Sequence, residues 1–185
     1  MKNLTYKKII IIACLISIVF GVFLHFAYNI SYKNNIVGMF APVNESVWEH
    51  MKLIFVPFSL FGVIFYIYTK DKFSNSLLNT VLGNVVGMFT SVVTFYLFNN
   101  IFNMHSMAID ILSYLLGILT SYYIFYLGIY DKEYLNETKD SNILGACALC
   151  LMLTLFIIST FAPVKLGITC DPITKTYGIE NRPHA

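Results

Sequence analysis

Ala41-Pro-Val-Asn-Glu-Ser-Val-Trp-Glu-His-Met-Lys52 runs directly into Leu53-Ile-Phe-Val-Pro-Phe-Ser-Leu-Phe-Gly-Val-Ile-Phe-Tyr-Ile-Tyr68. A dense polar segment thus abuts an uncharged apolar run. Residues 46–68, at about 1.5 Å of rise each, reach across a bilayer core of about 30 Å as one helix. Pro42 pushes Ala41 out of helical space, and Asn44 or Ser46 can then cap the helix. Ser46-Val-Trp-Glu49 has capping-box spacing, with a Ser oxygen and a Glu carboxylate each taking an orphan backbone N–H. At about 100° per residue, Glu45, Trp48, Glu49 and Lys52 share one face. Ser46 and His50 sit one turn apart on the adjoining flank. A capped start, a Glu49–Lys52 pair and an interfacial Trp anchor account for much of this segment. They do not account for two carboxylates and a His beside a membrane-buried run.

Working outward, four further apolar runs are expected to span. Residues 9–30 follow a basic lead with Lys2, Lys7 and Lys8. Residues 77–98 are the most polar run and carry Gly83-Asn-Val-Val-Gly87. Residues 107–130 place Ser113, Gly117 and Ser121 at four-residue steps. Small residues at that spacing let helix backbones approach closely, so these two runs are expected to pack through them. Residues 142–162 complete the set. Pro57 lies inside the second run and predicts a kink there. Residues 31–41 read as a polar loop.

The composition agrees with this reading. Hydrophobic residues make up 57% of the chain and charged residues 12%, against about 25% charged in an average soluble domain. The fold class expected is therefore all-α, a polytopic bundle of five transmembrane helices in one domain over residues 1–163. Residues 164–185 form an ordered extracytoplasmic tail with turn signals at Asp171-Pro172 and Tyr177-Gly178. A net charge of +2 is too small to imply nucleic acid as a partner. The partners expected are membrane lipids, a second copy of the chain or another membrane protein. Cys147 and Cys150 have redox-motif spacing but lie in an apolar run and read as buried inert thiols.

Five spans place the termini on opposite sides. Lys2, Lys7, Lys8, Lys70, Lys72, Lys132 and Lys139 fall on one side; Lys33, Lys52, Lys165, Lys175 and Arg182 fall on the other. The three leading lysines put the N-terminus inside and the C-terminus outside a cell membrane. The unusual polar residues then gather at the outer face: His25, Asn29, residues 44–52, Asn99, Asn100, His105, Asp110 and Asp171. Ionisable groups at membrane depth are costly and usually face a bundle interior or a wet cavity. His25 and Asp110 are expected to point inward, towards Glu45, Glu49 and His50.

Gly38-Met-Phe-Ala-Pro-Val-Asn-Glu-Ser-Val-Trp-Glu-His-Met-Lys52, the tail Asp171-Pro-Ile-Thr-Lys-Thr-Tyr-Gly-Ile179 and His25-Phe-Ala-Tyr-Asn29 carry a resemblance. The chain resembles a family of small multi-span bacterial membrane proteins described only as a domain of unknown function. The resemblance implies membrane location and fold over nearly the whole chain, and no activity. Asn44 to His50 is also similar to the first-span region of the ceramidase and adiponectin-receptor type of membrane hydrolases, which bind zinc. That group has seven spans and a His-x-x-x-His pair near its end; residues 142–162 here contain no His.

Two functions of different kind follow. The first is a binding, structural or transport-associated component, in which Asn44, Glu45, Asp110 and Asp171 hold a polar ligand. The second is a metal-dependent membrane hydrolase acting on a lipid or lipid-linked envelope substrate. There His25, Glu45, Glu49 and His50 offer the nitrogen and oxygen donors that zinc or another divalent cation takes, with Glu49 and His50 as catalytic candidates. No His-Glu-x-x-His motif supports it.

Overall fold

The computed structural model describes residues 2–70, 72–73, 75–102, 106–130 and 140–179, with side chains from Tyr6 onward. His105, the 131–139 loop, Arg182 and His184 lie outside the described residues. Helix α1 is Lys2–Ile30, α2 Asn35–Gly38, α3 Val47–His50, α4 Lys52–Thr69, α5 Ser76–Tyr96, α6 Met107–Tyr130 and α7 Ser141–Phe161. A π-turn, Leu97–Ile101, extends α5, and a 3₁₀ turn, Gly167–Thr169, opens the tail. Five helical stretches are long and apolar enough to cross a membrane: Tyr6–Ile30, Val47–Thr69, Ser76–Ile101, Met107–Tyr130 and Ser141–Phe161. Among the described residues there is no strand; Cys170 and Tyr177 make an isolated antiparallel bridge.

The core forms around α4. Ile54, Phe58, Phe61 and Phe65 are buried there, and Tyr122 and Phe125 of α6 meet them edge-on or tilted. The small-residue rows of α5 and α6 face each other as their spacing predicts. A Cβ at Gly87 would stand 2.6 Å from the Gly117 carbonyl oxygen, and one at Gly117 would stand 2.9 Å from the Gly87 carbonyl oxygen. Only backbones without side chains come this close. Polar bonds then lock the bundle. The single Tyr114 Oη proton is shared between the carbonyls of Ser17 (3.1 Å) and Ile18 (3.0 Å), tying α6 to α1. Asn84 Nδ2 donates to Ser59 Oγ at 2.9 Å, tying α5 to α4. Leu77 N donates to Asn142 Oδ1 at 2.9 Å, tying α5 to α7.

Pro57 is buried within α4, and the helix runs through it. Its missing N–H releases the carbonyl of Leu53, and α1 comes against that carbonyl: a Cβ at Gly21 would lie 2.9 Å from it. Outward-facing side chains are largely apolar, including Ile12, Leu15, Val19, Phe89, Leu144 and Leu151.

Three expectations are corrected. The 31–41 loop contains the short helix α2, because Asn34 Oδ1 accepts from Ile36 N at 2.9 Å and caps it. Cys147 and Cys150 are exposed on α7, since that helix presents to the core the face holding Leu149 and Phe156. Lys52 is fully buried and so is not the loop cation it was counted as.

Candidate functional site

The polar segment folds from local rules. Ser46 is extended (φ −70°, ψ 149°), and its Oγ accepts from Glu49 N at 3.3 Å, which caps α3. The reciprocal arm of the capping box is diverted. Ser46 N donates instead to Asn44 Oδ1 at 2.9 Å, and the Glu49 carboxylate turns inward. Glu45 therefore lies before the N-cap and not on the helical face with Glu49 and Lys52. Helical periodicity does not extend past a cap, so the four residues divide between two sites.

The first is a buried node. Lys52 Nζ donates to Glu49 Oε2 (2.7 Å), Thr160 Oγ1 (2.6 Å) and the Gly38 carbonyl (3.0 Å), with the Ala41 carbonyl at 3.5 Å. Glu49 Oε2 also accepts from Val43 N at 3.1 Å. The Thr160 hydroxyl has one proton to share between the Phe156 carbonyl (2.8 Å) and Glu49 Oε1 (3.2 Å). Glu49 and Lys52 have side-chain exposures of 2% and 0%. All three ammonium protons are used, and the loop before α3 is gathered round them.

The second is a cluster nearer the surface. His25, Glu45 and His50 each bring one donor atom to within 4.8 Å of the others. The imidazole centroids of His25 and His50 are 5.1 Å apart. His50 Nδ1 lies 2.9 Å from the Ser46 carbonyl. A carbonyl only accepts, so Nδ1 carries the proton and the lone pair of a neutral ring is at Nε2. Nε2 stands 3.3 Å from Glu45 Oε2. Two electron-rich atoms face each other there, and that geometry is favourable only with a proton or a cation between them. With a proton on Nε2, the hydrogen bond from His50 holds the Glu45 carboxyl below the usual carboxylate range; His25 adds to the effect, while burial and Asp171 oppose it.

The tail fastens this cluster from above. Asp171 Oδ1 accepts from Ile173 N (2.7 Å) and Thr174 N (3.1 Å), and Oδ2 accepts from Glu45 N (3.4 Å). Burial pushes the Asp171 carboxyl up, but its bonds from Thr174, Ile173 and Glu45 outweigh that and hold it low. Asn44 Nδ2 donates to the Gly178 carbonyl at 3.3 Å, and Ile179 N to the Thr160 carbonyl at 2.8 Å. Gly178 has φ +52°, which glycine adopts without strain.

The expected site residues thus separate. His25, Glu45 and His50 come together. Glu49 is drawn into the Lys52 node. Asn44 and Asp171 hold backbone. Asp110 is exposed at the start of α6, not inward, because Ile109 and Ser113 occupy the packed face; it remains within electrostatic reach of His50. Trp48, expected as an interfacial anchor, also ties α3 to α7: its Nε1 donates to Ser159 Oγ, and its ring lies 5.3 Å from that of Phe156. The sequence reading missed Thr160, which supports both members of the buried pair. Its one signal is a hydroxyl at the last turn of the fifth run, and nothing local links it to position 52.

The chain belongs to a family of unknown function, DUF6512, whose model matches residues 1–179. No curated protein and no solved structure matches it.

Proposed function

We propose that this DUF6512 member is a multi-pass membrane protein that binds one divalent transition-metal ion, zinc by donor chemistry, at the outer end of its bundle. His25, Glu45 and His50 are the ligands. The observation that carries this reading is their convergence within 4.8 Å, with His50 Nε2 turned to the Glu45 carboxylate. Two imidazoles and a carboxylate are a donor set zinc takes with a fourth position open. The Ser46 carbonyl on His50 Nδ1 supplies the outer hydrogen bond that fixes the ligating tautomer. Glu45 has a side-chain exposure of 46%, so the open position faces the surface. The lysine distribution favours an N-terminus inside, which would put this surface outside the cell.

The role supported best is metal-linked binding at the membrane face. A hydrolytic role needs a base beside the metal-bound water. Glu49 is committed to Lys52 and Val43, which leaves Asp110 as the carboxylate for that task. The test is metal content after purification in detergent, with and without added zinc. One zinc per chain in wild type, lost in His25→Ala and His50→Ala, supports the proposal. No zinc retained by folded wild type overturns it.

A further inference from the structure

The opposite end of the bundle carries a different arrangement. Between α1 and α6 runs a groove of about 450 Å³ whose walls include Ile11, Leu15, Leu119 and Tyr123. The groove is apolar along its length and meets Lys7 at one end. Lys7 Nζ stands 5.2 Å from the ring centroid of Tyr126 and 5.4 Å from that of Tyr130. Across α1, a second apolar groove of about 420 Å³ lies between α1 and α4. There Tyr6 lines the wall, and Lys72 Nζ donates to its hydroxyl at 2.8 Å.

We propose that the α1/α6 groove binds an anionic glycerophospholipid, with an acyl chain along Ile11, Leu15 and Leu119 and the phosphate at Lys7. The reasoning is one of charge and depth. Aromatic faces hold an ammonium in place without neutralising it. Among the described residues Lys7 faces the Tyr126 and Tyr130 rings and pairs with no carboxylate, which leaves its ammonium to meet an anion in the groove. It sits at the start of the apolar stretch Tyr6–Ile30, where a spanning helix would meet the lipid phosphates. A zwitterionic lipid carries its own cation and gains less from this lysine. On the other flank of α1, Lys72 is held by Tyr6, a wall residue of the second groove, so a lysine–tyrosine contact stands beside each groove.

The inference rests on the membrane part of the proposed function and not on the metal. It is tested by native mass spectrometry of the detergent-purified full chain, offered equimolar phosphatidylglycerol and phosphatidylcholine. Wild type is expected to retain phosphatidylglycerol several-fold in preference. Lys7→Gln should bring the ratio near parity, Lys7→Arg should keep it, and Leu119→Trp should lower retention of both lipids by filling the channel. Parity in wild type, or an unchanged ratio in Lys7→Gln, overturns the proposal. Full retention in folded Leu119→Trp overturns the groove as the site. Recovery of the chain in the soluble fraction, without detergent, would instead remove the membrane reading beneath it.

Discussion

Glu49 and Lys52 lie within seven residues of Glu45 and His50, yet the two pairs have opposite characters. In the buried pair every donor and acceptor has a partner: one carboxylate, two backbone carbonyls and an α7 hydroxyl surround one ammonium. In the surface pair the backbone fixes one imidazole nitrogen and leaves the other against a carboxylate with a second imidazole beside it. Saturation marks the first as architecture. Directed but unsaturated donors are what the metal site proposed for the second would need. Charge type and proximity in the sequence do not separate the two; the count of satisfied lone pairs does.

The comparison breaks most visibly at Lys52. Removing one member of a buried pair leaves the other uncompensated and costs about 3–5 kcal/mol. Lys52→Met is therefore expected to lower the unfolding free energy by that amount, read by thermal or denaturant unfolding in detergent. The double variant Lys52→Met/Glu49→Leu should recover little. An isolated pair can often be replaced by apolar residues, but this ammonium also holds Gly38 and Thr160, and this carboxylate also holds Val43 N. Full recovery in the double variant would make the node an ordinary ion pair.

The surface cluster should respond to ligand where the node does not. Zinc at about one hundred times its dissociation constant stabilises a folded state that alone binds it by about 2.7 kcal/mol. That gain is expected in wild type and absent in Glu45→Gln and His25→Ala, with metal-free stability of both variants near that of wild type. An equal gain in all three proteins would place zinc elsewhere.

Much of the bundle was legible because its signals are local. Apolar runs of span length, the Gly83/Gly87 and Gly117/Ser121 rows and the Ser46 cap are each read from neighbouring residues. The division of the site was not legible, for two physical reasons. The cap at Ser46 ends helical phase, so Glu45 leaves the face on which periodicity sets it. The partners that decide the fate of Glu49, namely Thr160 and the Gly38 carbonyl, are set by tertiary packing and leave no spacing to detect. His25 could be paired with His50 only through the argument that ionisable groups at one membrane level converge. The same argument placed Asp110 inward, and helix phase, with Ile109 and Ser113 packed, turned it out.

Ser46 serves both regions and separates them more finely. Its hydroxyl caps Glu49 N, whereas its carbonyl orients His50. Ser46→Ala removes the cap alone, at a cost of about 1 kcal/mol. The carbonyl survives the substitution, so zinc stoichiometry should not change. Loss of zinc from a folded Ser46→Ala protein would show that the two regions are coupled through the α3 turn.

Acid should produce the smallest effect, and its direction follows from the carboxyls outside the apolar stretches. Glu45 and Asp171 are both held below their ordinary values in the folded chain. A depressed carboxyl contributes stability that is fully present above its unfolded pKa, about 4, and lost as pH falls through the lower folded value. Melting temperature of metal-free protein should thus hold between about pH 7 and 5 and fall below about 4. Glu45→Gln should make that fall shallower by only a little, because the half-exposed Glu45 side chain is screened by solvent. Asp171→Asn should flatten it more, since buried Asp171 gathers the tail and the Glu45 backbone on one carboxylate. The reverse order would mean that the acid response belongs to the His50–Glu45 contact itself, and the surface cluster would then be a proton-held latch that needs no metal between its donors.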